Sequence, residues 1–144
     1  MKITNTENVE MSGKLFVQSK LMALGYDVSK VLKRSGIIDY FIADGKRIAV
    51  KSNRQDIRQK DGHINAVHFG YGKENASVYK ADYLVIVVNA LEKPTSYIMK
   101  NEEIKEFVHR DDRNKNVSSW WLHGSTNPQK FKEFKENWGK VKGQ

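Results

Sequence analysis

The chain has no cysteine, only two prolines among its 144 residues, and no long apolar run. Each absence excludes something. Without cysteine there are no disulfides and no thiolate metal sites, which suits a reducing compartment. With so little proline, and no repeat or low-complexity tract, nothing reads as a linker, so residues 1–144 are expected to form a single domain. No stretch approaches the ~18 apolar residues of a membrane-spanning helix, so no membrane partner is expected. The opening "MKITNTENVE" lacks the apolar core of a secretory signal. The expectation is therefore a cytoplasmic or other reducing intracellular location, not secretion.

Acidic residues are also scarce where basic ones gather. The chain carries a formal charge of +8. Residues 30 to 60 hold nine bases (Lys30, Lys33, Arg34, Lys46, Arg47, Lys51, Arg54, Arg58 and Lys60) against Asp39, Asp44 and Asp56. Such a window is either a solvated face or a surface for a polyanion.

The apolar pattern sketches the elements. Leu15, Phe16, Val17, Leu21, Met22 and Leu24 give a broad helical face. Thr6 or Asn8 is the candidate N-cap, and Gly25 the stop. "YDVSKVLK", "GIIDYFIAD" and "RIAVKS" read as strands, the last two flanking Asp44-Gly45, a hairpin signal. A polar loop from Asn53 to Gly62 precedes "HINAVHFGYG", another candidate strand. "DYLVIVVNA" has the continuous apolar run of a strand buried on both faces, and "TSYIMK" follows as a strand. "NEEIKEFVHR" starts a helix capped by Asn101. "SSWWLHG" is a candidate edge strand. "NPQKFKEFKENWGKV" is a helix with Asn127 as cap and Pro128 at its first position. Its Phe131, Phe134 and Trp138 form an apolar stripe read as core. Strands and helices in this order give an α/β or α+β architecture, a mixed central sheet flanked by helices.

Inside the hairpin stand one acid and one base. Ala49 and Lys51 share one strand face, and Asp39 shares a face with Phe41 and Ala43. Asp39 and Lys51 converge near the hairpin's open end, either as a structural ion pair or as a cation ligand beside an anion-stabilising ammonium.

"GIIDYFIADGKRIAVKS" resembles the PD-(D/E)XK nuclease superfamily, the restriction-endonuclease-like enzymes. That pattern is an aspartate on one strand, a turn, then acid-x-Lys on the next. The matching positions are Asp39, Ala49 and Lys51. The preceding helix ending in "GYDV" and the following "YKADYLVIVV" fit the family layout, which covers about residues 5 to 109. The resemblance implies a restriction-like fold and hydrolysis of DNA phosphodiester bonds with Mg²⁺, or Mn²⁺, by a homodimer on duplex or branched DNA. Asp39, the backbone carbonyl of Ala49 and Glu10 would hold the metal, and Lys51 would stabilise the transition state. Two departures stand out: Ala49 replaces the expected acid or glutamine, and Lys14 replaces the helix glutamate of many relatives, with Glu10 one turn earlier. Three readings of Ala49 remain open: a substitution that blocks cleavage, a ligand moved elsewhere, or a fold that has lost hydrolysis and kept binding. The alternative is a non-catalytic DNA-binding or protein-interaction module.

The loop "SNRQDIRQK" leaves the catalytic strand directly. Ser52, Arg54, Gln55, Arg58 and Lys60, with Lys30, Lys33, Arg34 and Ser35, are the expected DNA contacts. His63 and His68 have no metal-pair spacing and read as ordinary strand or loop residues, and His109 and His123 are isolated.

Overall fold

The computed structural model describes residues 5–53, 59–60, 63–64, 67–70, 80–110, 119–122 and 128–142. Helix α1 (Asn5–Ala23) leads into strands β1 (Val28–Leu32), β2 (Ile38–Ala43) and β3 (Lys46–Ser52). Short strands follow at β4 (Gln59–Lys60), β5 (His63–Ile64) and β6 (Val67–Gly70), then β7 (Tyr83–Val88) and β8 (Thr95–Lys100). Helix α2 (Asn101–Phe107), β9 (Val108–Arg110), β10 (Ser119–Leu122), α3 (Pro128–Glu133) and a 3-10 helix (Trp138–Lys142) complete the order.

The main sheet is five-stranded and mixed, in the order β1-β2-β3-β7-β8. Only β3 and β7 pair in parallel, and the other neighbours are antiparallel. The Asp44-Gly45 turn is what the dipeptide announces. Both residues have positive φ, 50° and 77°, as a two-residue hairpin turn with the sheet's own twist requires. All six residues of β7 are buried, which matches their unbroken apolar run.

Two apolar layers cover the sheet. On one face, Val9, Val17 and Leu21 of α1 pack over Phe41, Ile48, Val50, Val85 and Val87. On the other, Ile104 and Phe107 of α2, Phe131 of α3 and Phe134 just after it cover Ala49, Leu84, Ile86 and Met99. Phe107, Phe131 and Phe134 meet with ring centroids 5.5, 5.6 and 5.9 Å apart, arrangements worth ~0.5–1.5 kcal/mol per pair beyond burial.

Several sequence expectations change. Helix α1 starts at Asn5, so Thr6 and Asn8 lie inside it. Its buried line runs Val9, Gly13, Val17, Leu21, whereas Met11, Leu15 and Met22 are exposed. The helix carries two apolar stripes, and the sheet covers one. At its end, Tyr26 N donates to Leu21 O and Gly25 N to Met22 O, the paired bonds that close a helix on a left-handed glycine. Residues 59–60 form a strand within the expected loop, and "HINAVHFGYG" divides between β5 and β6. Helix α2 stops at Phe107, and Val108–Arg110 join a sheet ordered β6-β10-β9. The Trp-Trp strand is therefore central in that sheet, not an edge. Helix α3 does begin at Pro128, but it ends at Glu133, and Asn127 and His123 lie outside the described residues. The expected Phe/Trp stripe divides between the two layers, with Phe131 and Phe134 on one face and Trp138 on the other. Between them the chain wraps the free edge of β8: Ile98 N donates to Phe134 O, and Glu136 N to Ser96 O.

Helix α1 approaches the sheet most closely at Gly13. A Cβ there would lie 1.8 Å from Ser52 Oγ and 2.9 Å from Ser52 Cβ. Helix propensity alone favours Gly13→Ala by ~1 kcal/mol, while forced overlap in a packed interior costs ~1–3 kcal/mol. Gly13→Ala is expected to lower stability by about 1–2 kcal/mol in urea unfolding, and adding Ser52→Ala should recover part of the loss. A stabilised single variant would overturn the account.

Candidate active site

Strands β2 and β3 pair from the turn only as far as Phe41 opposite Ile48. Beyond that point they part. β2 stays with β1, and β3 with β7 as far as Ser52. Asp39 and Lys51 stand on the two sides of this opening.

Asp39 is also the extra residue of a β-bulge. Tyr40 faces Val31 and Ile38 faces Leu32, so Asp39 has no partner in the ladder. Strict alternation would keep Asp39 on the Phe41 face, away from Lys51. A bulge breaks the alternation and turns a side chain to a new direction.

The backbone of β3 is oriented by its partners. Arg47 O accepts from Asp82 N, and Asn53 N donates to Val87 O. Odd-numbered residues of β3 thus aim their polar groups at β7, and even-numbered ones at β2. The carbonyl of Ala49 lies in the β7 ladder. That of Val50 faces the opening, where β2 has moved away.

Across Gly13, α1 brings two charged side chains to the same place. Lys14 is buried, at 5 % exposure. Its Nζ donates to Glu10 Oε1 at 2.7 Å and to the carbonyl of Ile38, next to the bulged aspartate. The hydrogen bond from Lys14 holds the Glu10 carboxyl below its usual range; burial opposes this, and the charges of Lys14, Lys33 and Lys51 add to it. Burial pushes the half-buried Lys51 ammonium down from its ordinary value, with Lys33 and Lys14 in the same direction. Glu10 and Asp39 pull it back. Glu10, Lys14, Lys33, Asp39 and Lys51 therefore form one electrostatic cluster.

Of the expected residues, Asp39 and Glu10 lie within electrostatic reach of Lys51. Ala49 is 2 % exposed and belongs to the apolar layer under α2 and α3. Lys30, Lys33, Arg34 and Ser35 are exposed on β1 and the following turn, leading to the opening. The Ser52 hydroxyl is buried under α1 against Gly13, without a hydrogen-bond partner among the described residues. Arg54, Gln55 and Arg58 lie outside the described residues, as does the side chain of Lys60. Two contributors were not identified as participants from sequence: Lys14, signalled by its i, i+4 spacing from Glu10, and the Val50 carbonyl, which no side-chain pattern marks. Among the described residues no three His, Asp or Glu side chains gather as metal ligands, and no helix is long and apolar enough to cross a membrane.

The mixed five-stranded sheet with helices on both faces is a nuclease-like α/β fold. Among solved structures, a bacterial homing endonuclease, I-Ssp6803I, is similar to it. The likeness covers 96 % of this chain and 93 % of that one, with a TM-score of 0.55 and 16 % sequence identity. At that identity the likeness is one of fold. No family profile and no curated protein sequence matches the chain.

The Lys51 environment has a measurable consequence. Its folded pKa lies below the ordinary 10.5, so the unfolded chain holds this proton more tightly. The stability penalty is complete below the folded pKa and disappears as pH rises through the window up to 10.5. Lys51→Met is expected to melt above the wild type near neutral pH, with the gap closing toward pH 10.5. A constant or widening gap in thermal melts across that range would contradict the assignment.

Proposed function

We propose that this chain is a divalent-metal-dependent endonuclease of the PD-(D/E)XK type that hydrolyses DNA phosphodiester bonds. The observation that supports the reading is that Asp39 and Glu10 act electrostatically on Lys51, with Asp39 and Lys51 on the two strands that part beyond Phe41 and Ile48. The nuclease-like fold supports it, as does the run of exposed bases beside the opening. A DNA backbone approaching Lys30, Lys33 and Arg34 would lead one phosphate to Lys51.

The donor set fits Mg²⁺, which is commonly held by one or two carboxylates together with substrate phosphate and water. Asp39 and the Val50 carbonyl would hold the ion, with the remaining oxygen of Glu10 close by. When bound, the metal supplies Lewis-acid polarisation of the phosphate and a water of lowered pKa. Asp39 is pre-positioned for this by the bulge. Lys51 places an ammonium against the extra negative charge of the phosphorane-like transition state. Its depressed pKa also makes the neutral amine, a proton acceptor for the attacking water, more accessible than on a free lysine. With Ala49 in the buried layer, Glu10 takes over the duty of the missing acid. One site cuts one strand, so cleavage of a duplex calls for a homodimer.

A second reading is favoured by Ala49 itself: the same fold binds DNA and does not cut it. Plasmid nicking by the full-length chain in Mg²⁺ or Mn²⁺ separates the two. Under the endonuclease reading the wild type nicks, while Asp39→Asn and Lys51→Met fall by about a hundredfold or more with DNA binding kept. DNA bound at low salt but left intact, even after Ala49→Glu or Ala49→Gln, establishes the second reading. Neither binding nor cutting removes both. If binding occurs, Arg34→Ala should reduce the slope of log affinity against log salt by about one, as loss of one phosphate contact does.

A further inference from the structure

Among the described residues two lysines are nine-tenths buried, Lys14 and Lys140. Lys140 has a packing role: its Nζ binds Glu103 Oε1 at 2.9 Å and lies over the Phe134 ring. Lys14 is different, because it is buried at the candidate site. Burying an ammonium is unfavourable unless its partners compensate, and α1 has apolar residues to either side of this position. The partners of Lys14 are one carboxylate oxygen, Glu10 Oε1, and one backbone carbonyl, that of Ile38. These are the oxygen types a hard divalent cation selects. The ammonium thus joins α1 to the bulge that carries Asp39, as a bridging ion would.

We propose that the Lys14 ammonium takes the place of a second divalent cation, so that the site binds one such ion, on the Asp39 and Val50 side, rather than two. The proposal rests on the metal-dependent reading above. Two-metal nuclease sites hold their ions ~3.5–4 Å apart, bridged by shared oxygens. Here the carboxylate available for bridging, Glu10, already has one oxygen on a permanent cation. Lys33 and Lys51 raise the local positive charge further, which disfavours a second dication and favours an incoming phosphate. Lys14 acts as a positioning residue: it fixes Glu10 and the Ile38 carbonyl and limits the metal count.

The test counts Mn²⁺ bound per chain by loss of the free-ion paramagnetic signal, on the full-length protein with a mixed-sequence duplex at low salt. The wild type is expected to bind one ion. Lys14→Glu, which restores a carboxylate, is expected to bind two. Lys14→Gln, which keeps the length and removes the charge, is expected to hold its ion about tenfold more tightly. A merely structural lysine would change melting temperature without changing the count or the affinity. Two ions on the wild type, or one ion of unchanged affinity in both variants, overturns the proposal. The wild-type count needs no variant, so a misfolded variant does not shield it. A wild type that binds no Mn²⁺ and cuts no DNA overturns the metal-dependent reading itself. One that cuts with two ions bound overturns the Lys14 proposal alone.

Discussion

The approach of α1 to β3 across Gly13 is the constraint on which the candidate site depends. A side chain at this position would collide with Ser52, so only a bare backbone lets the helix lie this close. Val17 and Leu21 then seal the same face of the sheet. Because Glu10 and Lys14 lie within one turn of Gly13, the packing that builds the core also sets where their charges stand. Core and site are two results of one contact.

The site's electrostatics follow from that placement. Three lysines, Lys14, Lys33 and Lys51, act on the Glu10 carboxylate, and Lys51 also feels the charge of Asp39. The lysines outnumber the carboxylates, so the free site favours an anion. A phosphate entering the opening would meet Lys51, whose ammonium is disfavoured by burial and by its like-charged neighbours. Partial desolvation strengthens both attractions and repulsions. The same burial that lowers the Lys51 pKa would make its interaction with a phosphate stronger than on an open surface.

The far side of the sheet explains how Ala49 is accommodated. Position 49 lies within the layer formed by Leu84, Ile86, Met99 and the α2 and α3 aromatics. An alanine there packs without a polar partner, whereas a carboxylate would need one. The C-terminal segment secures this layer by continuing past Phe134, bonding to both Ile98 and Ser96, and crossing to the other face at Trp138. The β8 edge is thereby covered rather than left open to another chain.

Much of this was local and so legible in the sequence. The Asp44-Gly45 hairpin, the Gly25 stop, the Pro128 start and the doubly buried β7 each depend on a few neighbouring residues whose conformational preferences are strong. That Asp39 and Lys51 stand on neighbouring strands could be read from the strand pattern. What the sequence left open depends on partners distant in the chain. Which apolar stripe of α1 is buried is decided by the sheet it meets. Whether "SSWWLHG" is an edge or a centre depends on its pairing with both β6 and β9, which lie well before it in the chain. The bulge at Asp39 arises from a shift in the β1 pairing, and the direction of the Val50 carbonyl from the β7 ladder. Lys14 is an ordinary helix lysine in the sequence. It becomes a buried cation only because the tertiary structure brings the Ile38 carbonyl to it and closes the helix over both.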